Sequence, residues 1–375
     1  MKKICFVSLN NSSPWGGSEE LWSQSAIILV KKGYSVSVIF YDWGKQTSSE
    51  LLHLQKAGIQ IVSIPIHQTF SIKLRRNLNK YLGDHLQQQL QSAYKKANPD
   101  FVIHTNMSPR GSDTLKWVIN NNIPYILDIQ LADDYLWHCF NNDMLECYTK
   151  AKAVFFLCNQ NKNTTEKQLG VRLVNAKNHF NPIKANFDVK GLFDIYITKV
   201  HFACVGRMGI EHKRQDLVLE VLSQDKWLSR SWSLSFYGKG EHEISLRRLV
   251  NMFGLSDRVT FHGYVKDIQQ IWNENHVLLL PSTYEGMSLS VLEAMKCGRI
   301  VVTTNVASSI EFIEDGINGF KSPAPTLLEY DLAMERAWNS KENWHEIARL
   351  AKNTIEDKVP NDAAAFFVDS FIDFV

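Results

Sequence analysis

Short apolar runs alternate with helical stretches along the chain of 375 residues, and this alternation restricts the fold more than any other feature. Most runs are near-continuous, which is typical of parallel strands covered on both faces. They lie at Ile4–Leu9, Val36–Phe40, Ile61–Ile64, Phe101–His104, Tyr125–Leu127 and Val154–Leu157, and then at Phe202–Val205, Leu234–Tyr237, Val259–Phe261, Val277–Leu280 and Ile300–Val302. Strands and helices in this order predict doubly wound parallel sheets of the α/β class.

The length and the weakest part of the pattern predict two domains of similar size. A domain typically holds about 150 residues, and the stretch from Asn181 to Thr198 carries few apolar or helical signals. We therefore expect one Rossmann-like domain at 1–185 and a second at 186–360, with an apolar helix in the last segment, Ala363–Val375. Sheets of this kind bind ligands at the carboxyl ends of their strands, which predicts a cleft between the domains.

Charge and cysteine usage exclude several classes of protein. The chain carries 41 Lys and Arg against 39 Asp and Glu, a net charge of +2, so a nucleic-acid polymer is not an expected partner. Its six cysteines form no C-x-x-C pair, which favours buried thiols in a reducing compartment. No apolar stretch reaches the ~18 residues of a membrane span. We interpret Ile4–Leu9 as a first strand rather than a secretion signal and predict a cytoplasmic protein.

One polar segment, Ser71–Lys96, interrupts the alternation. Its early part holds four cations, at Lys73, Arg75, Arg76 and Lys80. A solvated surface helix is the favoured interpretation. The alternative is a helix that faces the acceptor or lies on an anionic membrane, which would make the protein peripheral at the inner face of the membrane.

The richest group of candidate functional residues is the segment 281–295, P-S-T-Y-E-G-M-S-L-S-V-L-E-A-M. It follows a predicted strand and runs into a predicted helix, so Glu285 is expected at the carboxyl end of the strand. The backbone N–H groups of Gly286, Met287, Ser288 and Leu289 are expected to be free donors at the start of the helix, which suits a phosphate. Glu293, inside the helix, can accept hydrogen bonds from sugar hydroxyls.

This segment resembles the retaining glycosyltransferases of family 4. Glu285 and Glu293 match the Glu-x7-Glu motif of that family, and the later stretch E-F-I-E-D-G-I-N-G-F, residues 311–320, resembles its Ile-x-Asp-Gly-x-Asn-Gly element. The resemblance implies the GT-B fold, with two Rossmann-like domains facing across a cleft. The first would bind the acceptor and the second the nucleotide sugar, and a helix at about 361–375 would pack back on the first.

A second block resembles the Val-Gly-Arg…Lys-Gly element of the same family. Here Val205-Gly206-Arg207 ends a predicted strand and Lys213 follows, with Gln215 where the family often has a second glycine. The resemblance assigns Arg207 and Lys213 to the donor diphosphate and groups them with Glu285 as catalytic residues. A guanidinium fork and an ammonium are suited to the charge that builds up on a leaving diphosphate.

Three weaker blocks resemble the donor-binding loops of the family. They contribute Gly16 and Gly17 after the first strand, Gly238 and Gly240 in a Gly-x-Gly turn, and Gly263 and Tyr264 at a strand end. On the acceptor side, Gln130 stands where the family usually has a histidine. A glutamine can hydrogen-bond a sugar but cannot take a proton at neutral pH. Asp128 and His104, at neighbouring strand ends, are the other acceptor-side candidates.

These observations predict a retaining, metal-independent hexosyltransferase. It would move a sugar from a nucleotide-diphosphate sugar to a glycan, lipid-linked or small-molecule acceptor in polysaccharide or glycoconjugate biosynthesis. No cofactor and no metal are expected, since the nucleotide sugar is a substrate and the cations would neutralise its diphosphate. Gln130 keeps one alternative open, a non-catalytic sugar-nucleotide-binding partner of an active transferase. A nucleotide-sugar epimerase on the same fold is a third interpretation.

Overall fold

The protein was analysed as a computed structural model that describes residues 1–10, 15–43, 49–65, 86–105, 111–132, 141–183 and 197–375. The chain forms two compact units, Met1–Pro182 with Asp362–Val375, and Ile183–Asn361. Each unit holds one parallel sheet covered by helices, which confirms the predicted α/β fold. Three subjects of the sequence analysis fall outside the described residues: Cys139, most of the predicted boundary stretch, and the four cations at Lys73, Arg75, Arg76 and Lys80.

The first unit is built on a seven-stranded sheet in which every described pairing is parallel. The spatial order is β3-β2-β1-β4-β5-β6-β7. The strands are β1 (Lys3–Ser8), β2 (Ser35–Asp42), β3 (Gln60–Pro65), β4 (Phe101–Thr105), β5 (Tyr125–Ile129), β6 (Val154–Phe156) and β7 (Ala176–Asn178). The central strands β1, β4 and β5 are buried almost throughout, which explains their continuous apolar sequences.

Helices cover both faces of this sheet. They are α1 (Gly17–Lys31), α2 (Ser49–Lys56), α3 (described over residues 86–97), α4 (Gly111–Asn120), α5 (Asn142–Lys150) and α6 (Asn159–Leu169), and the unit is completed by α16 (Ala363–Phe371) and a 3-10 turn at Ile372–Phe374. Asp362 caps α16 by accepting a hydrogen bond from the N–H of Ala365 at 2.8 Å. Phe367 and Phe371 of α16 are fully buried; Phe367 packs edge-on against Phe155, and Phe371 stacks on Phe101. The segment 362–375 is therefore part of the core of the first unit.

The second unit is built on a six-stranded parallel sheet with the order β10-β9-β8-β11-β12-β13. Its strands are β8 (Val200–Val205), β9 (Trp232–Tyr237), β10 (Val259–Gly263), β11 (Val277–Leu280), β12 (Ile300–Thr304) and β13 (Phe320–Ser322). Since β8 pairs with both β9 and β11, the loops that follow these three strands meet at the same edge of the sheet.

The helices of the second unit are α7 (Ile210–Lys213), α8 (Gln215–Leu222), α9 (Asp225–Leu228), α10 (Glu243–Met252), α11 (Ile268–Glu274), α12 (Leu289–Lys296), α13 (Ser309–Phe312), α14 (Leu327–Asn339) and α15 (Trp344–Lys358), with a 3-10 turn at Lys341–Asn343. Four of its tryptophans, at 227, 232, 272 and 344, are among the largest fully buried side chains of the molecule. This core fixes the positions of the strand ends.

Two further sequence predictions bear on the described residues. No helix among them is long and apolar enough to span a membrane. The cysteines at 5, 147, 158, 204 and 297 are all buried. Burial raises the pKa of Cys5 and Cys297 to about 12, which disfavours the thiolate that a nucleophile or a metal ligand requires.

Candidate functional site

An ion pair between Lys213 and Glu285 lies at the centre of the candidate site in the second unit. Lys213 ends α7 after β8, whereas Glu285 follows the neighbouring β11, so the fold joins residues 72 positions apart. Nζ of Lys213 lies 2.5 Å from Oε1 of Glu285, and the hydroxyl of Ser282 donates to the same oxygen at 2.6 Å. The side chains of Lys213 and Glu285 are only 14% and 10% exposed.

The surroundings of Glu285 hold it in the ionised form. Burial by itself raises the pKa of this carboxyl, but the charge of Lys213, the nearby His212 ring and the hydrogen bonds from Lys213 and Ser282 outweigh burial and lower the pKa below its usual value. A carboxylate that stays ionised accepts hydrogen bonds and attracts positive charge, so Glu285 is suited to contact hydroxyl groups rather than to donate a proton.

His212 lies beside this pair and packs flat against Tyr284. The ring centroids are 4.2 Å apart with an interplanar angle of 10°. Nε2 of His212 lies 2.5 Å from the carbonyl oxygen of Tyr284 and 3.9 Å from Oε2 of Glu285. Burial lowers the pKa of His212 and is the largest influence on it, although Glu285 acts in the opposite direction.

Arg207 supplies a second, more accessible cation. Its side chain is 49% exposed, and its nearest described carboxylate, Glu241, lies 4.0 Å away at a position that is 54% exposed. The backbone of Arg207 is held more firmly, because the buried side-chain amide of Gln215 donates to its carbonyl at 2.8 Å. Gln215, which replaces a family glycine, thus anchors the loop that carries Arg207.

Close packing explains the glycines that border this loop. A Cβ on Gly238 would lie 2.0 Å from the carbonyl oxygen of Gly206, and a Cβ on Gly240 would lie 2.3 Å from that of Met208. Gly206 and Gly238 also have φ values of +149° and +129°, which side chains rarely tolerate. Gly238 and Gly240 are therefore required for the contact between the loops after β8 and β9, whatever they contribute to a donor.

Gly263 and Tyr264 end β10 at the same edge of the sheet. Gly263 has a φ of +67° and accepts a hydrogen bond from the N–H of Gly238 at 2.7 Å. The side chain of Tyr264 is 71% exposed. The structure thus brings Gly263 against the Gly-x-Gly turn and leaves Tyr264 at the surface.

The start of α12 differs from the sequence prediction. The helix begins at Leu289 with Ser288 as its N-cap, so Gly286, Met287 and Ser288 lie in the preceding loop and are not the first amides of the helix. Of the four predicted donors, Leu289 is the first helical residue; the N–H of Val291 already donates to the carbonyl of Ser288 at 3.1 Å. Glu293 lies on the second turn of α12 and is 6% exposed.

The acceptor-side candidates of the first unit form a closed polar network. Gln130 donates its side-chain amide to both oxygens of Asp128, at 2.7 and 2.9 Å, and accepts a hydrogen bond from Asn181 at 2.9 Å. Nε2 of His179 lies 2.8 Å from Oδ1 of Asp128. Asp128 and His179 are fully buried, so the polar groups of Gln130 and Asp128 face other protein groups.

The remaining candidates of the first unit are also placed by their neighbours. His104 is 2% exposed, its Nε2 lies 2.6 Å from the hydroxyl of Thr114, and burial lowers its pKa to about 4. A neutral, enclosed imidazole has no surface to offer an acceptor. Gly16 is the N-cap of α1 and Gly17 is its first residue, whereas residues 11–14 of the same loop lie outside the described residues.

Among the described residues, no group of three or more His, Cys, Asp or Glu side chains is arranged to hold a metal ion.

Comparison with known proteins finds similar sequences and similar solved structures. Residues 199–337 match the family model described as glycosyl transferases group 1. A relative from Haemophilus influenzae, described as an uncharacterized glycosyltransferase, is 24% identical over 361 residues, which cover 95% of this chain and 96% of the relative. Among solved structures, Anabaena HepE in complex with UDP-glucose has a TM-score of 0.74 at 16% identity, with both chains covered completely.

A second solved neighbour is a variant of S. aureus TarM bound to fondaparinux, alpha-GlcNAc-glycerol and UDP. It has a TM-score of 0.74 at 15% identity and covers 100% of this chain and 99% of TarM. Together the matches support a glycosyltransferase of the GT-B type with two Rossmann-like units.

Within this glycosyltransferase fold, three residues of the site were missed by the sequence analysis: Ser282, His212 and Gln215. Ser282 lies inside the recognised segment, three residues before Glu285, which is a spacing that could have indicated a hydroxyl–carboxylate contact. Gln215 was noted only as a departure from a glycine. His212 precedes Lys213, but its pairing with Tyr284 depends on α7 and the loop after β11, which only the fold brings together.

Proposed function

We propose that this chain is a retaining glycosyltransferase that transfers a hexose from a nucleotide-diphosphate sugar to a hydroxyl of a glycan, lipid-linked or small-molecule acceptor. The observation that carries the proposal is the Lys213–Glu285 pair, 2.5 Å apart, at the strand edge where Arg207 is also presented. The solved complexes of HepE with UDP-glucose and of TarM with UDP support a uridine nucleotide as the donor.

In the proposed reaction, Arg207 and Lys213 offset the negative charge on the departing diphosphate. Lys213 is already engaged by Glu285, so the diphosphate has to share or take over this cation. Ser282 keeps its hydrogen bond to Glu285, which holds the carboxylate in place while its other oxygen accepts a hydrogen bond from the sugar. One such preorganised contact typically lowers a barrier by ~3–4 kcal/mol.

We propose front-face retention as the stereochemical course. The bond between the anomeric carbon and the phosphate oxygen breaks, and the acceptor oxygen bonds to the same face. The acceptor proton passes to an oxygen of the leaving phosphate, so no protein base is required. Because two side-chain cations meet the diphosphate, we also propose that turnover is independent of a metal ion.

The roles of the two units follow from the same proposal. The second unit would bind the donor, since it carries the matched region 199–337 and the cations. The first would bind the acceptor through surfaces other than the closed network of Gln130 and Asp128. We place the activity in polysaccharide or glycoconjugate biosynthesis in the cytoplasm.

A panel of UDP- and GDP-sugars tests the proposal. Nucleotide release that depends on an added acceptor, retained anomeric configuration by NMR, and unchanged rates in EDTA are expected. Binding of UDP without release would instead indicate the non-catalytic partner. Free sugar and nucleotide without an acceptor would indicate the epimerase. Inverted product, or turnover abolished by EDTA, would overturn the retaining or the metal-independent part alone.

A further inference from the structure

The loop that carries Glu285 is attached to α7 at three residues: the Thr283 hydroxyl contacts the carbonyl oxygen of Glu211 at 3.2 Å, Lys213 pairs with Glu285, and His212 makes the other contacts. The carbonyl oxygen of His212 accepts hydrogen bonds from the N–H and the hydroxyl of Thr283, at 2.9 and 3.1 Å. Its ring stacks on Tyr284 and hydrogen-bonds the carbonyl oxygen of Tyr284. His212 thus contacts both loop residues that directly precede Glu285.

The chemistry of the ring contact defines the proton position. A carbonyl oxygen only accepts, so Nε2 of His212 has to carry the hydrogen that it shares with Tyr284. The surroundings favour the neutral ring, since burial lowers the pKa of His212, and Lys213 and Arg207 lower it further against the opposing effect of Glu285. His212 therefore acts as a fixed N–H donor and as a flat apolar face.

The position of His212 next to Lys213 gives this attachment a consequence for the ion pair. Lys213 has its own anchor, because its N–H donates to the carbonyl of Gly209 at 2.7 Å. Changing the His212 side chain would therefore remove the ring contacts to Tyr284 and let the loop shift next to Glu285, while the backbone contacts of Thr283 and the position of Lys213 are kept. A displacement of about 1 Å in a reacting group can reduce a rate by about 100-fold.

We propose that His212 is a positioning residue that holds the 283–285 loop so that Glu285 meets the donor sugar in the correct place. This inference rests on the proposed transferase function. The inference predicts different effects on the reaction rate and on UDP affinity. Loss of the ring N–H should lower kcat, whereas UDP affinity should change little, because Arg207 and Lys213 remain.

Three substitutions separate the two properties of the ring. His212→Phe keeps a flat ring and removes the donor, His212→Gln keeps a donor near the Nε2 position, and His212→Ala removes both. We expect kcat to fall about tenfold in H212F and further in H212A, since one hydrogen bond is lost in the first and the stacking as well in the second. H212Q should retain at least about three times the kcat of H212F. His345→Phe, at an exposed position of α15, is the matched control.

Calorimetric UDP titrations and melting curves accompany the kinetics. UDP dissociation constants within about threefold of the wild type support the proposal. Wild-type kcat in H212F, or a fall in UDP affinity equal to the fall in kcat, would overturn it. A lower melting temperature with an unchanged rate per folded molecule would also overturn it, since the role would then be structural.

An NMR measurement tests the role of His212 independently of turnover. Long-range ¹H–¹⁵N spectra, assigned by comparison with H212F, should show a neutral His212 with its proton on Nε2 at neutral pH. A neutral ring with its proton on Nδ1 would contradict the positioning contact, because Nε2 could then not donate to the Tyr284 carbonyl. If no donor is turned over by the wild type, the proposed function fails, and this spectrum still decides whether His212 holds the loop as described.

Discussion

The carboxyl edges of the two sheets carry similar side chains in different arrangements. In the second unit, Glu285 is paired with the cation Lys213, and a half-exposed Arg207 lies on the neighbouring loop. In the first unit, Asp128 accepts hydrogen bonds from the neutral amide of Gln130 and lies 2.8 Å from Nε2 of His179, in a buried network. Burial alone does not distinguish the two carboxylates, because the side chain of Glu285 is also only 10% exposed. The difference lies in the half-exposed guanidinium of Arg207 beside the ion pair, which a diphosphate can reach from solvent.

Removing the charge of Glu285 is the most severe test of this contrast. Glu285→Gln should lower kcat by about 100- to 1,000-fold, because a preorganised charged contact to the reacting sugar is lost. UDP affinity should stay within about threefold, since the cations remain. Steady-state kinetics and calorimetry measure both, with Glu220→Gln, an exposed position on α8, as the control. Equal losses of rate and affinity would contradict the assigned role.

We expect the buried histidines to make the folded protein less stable in acid, independently of the candidate site. Burial lowers the pKa of His104 in the first unit and of His276 in the second from 6.5 to about 4. Below the unfolded pKa of 6.5, the unfolded chain binds protons that the folded chain does not, so stability falls with pH until about pH 4. Each histidine should contribute about 3 kcal/mol to this fall.

Urea unfolding of the wild type and of His104→Gln, at neutral pH and near pH 4.5, measures this effect. The variant should show a weaker pH dependence, because Gln can bond Thr114 without titrating. His345→Gln, which changes an exposed histidine, should leave the dependence as it is. A pH dependence that is the same in H104Q and the wild type would show that His104 is not enclosed in solution.

Loss of the Lys213 ammonium should weaken UDP binding and also change Glu285. Lys213→Met should reduce UDP affinity by about 10- to 100-fold, as expected for a hydrogen bond to a charged group. Without the cation, burial is opposed less strongly, so the pKa of Glu285 should rise and the acid limb of the pH–rate profile should move to higher pH. Lys199→Met, which precedes β8 at the opposite edge of the sheet, is the control. An unchanged acid limb would exclude coupling between the two residues.

Substitution of Gln130 should have the smallest effect, and it tests the buried polar network of the first unit. Gln130→Ala removes the hydrogen bonds to Asp128 and Asn181 and should destabilise the protein by about 1–3 kcal/mol. The activity of the folded fraction should change less than about threefold. Gln55→Ala, on the exposed side of α2, is the control. A tenfold loss of activity at unchanged stability would instead support the contact between Gln130 and the acceptor that the family resemblance predicts.

The sequence predicts the sheets well because apolar runs mark the buried strands directly. It misses β7 and β13, which have three residues each, Ala-Lys-Asn and Phe-Lys-Ser, and therefore lack an apolar run. Both strands pair at the edges of the sheets, and three residues are too few to form a recognisable apolar run.

The candidate site is predictable in its chemistry and less so in its contacts. The motifs select Glu285, Lys213 and Arg207, and the parallel order of β8 and β11 brings the first two together. They do not indicate that Lys213 and Glu285 bind each other, or that His212 stacks on Tyr284, because such choices depend on rotamers and loop paths. In the first unit, the pattern locates Gln130 at a strand end but not its partner Asn181, which lies 51 residues away.

The contribution of α16 to the first core has a consequence for the order in which the units form during synthesis. Residues 362–375 are made after the whole of the second unit, yet Phe367 and Phe371 fill the core under β4 and β6. On the ribosome, the second unit can therefore complete its core before the first. The apolar surface of the first unit stays exposed until these aromatic side chains have been synthesised. Early release of a truncated chain would leave that surface open to aggregation or to chaperones.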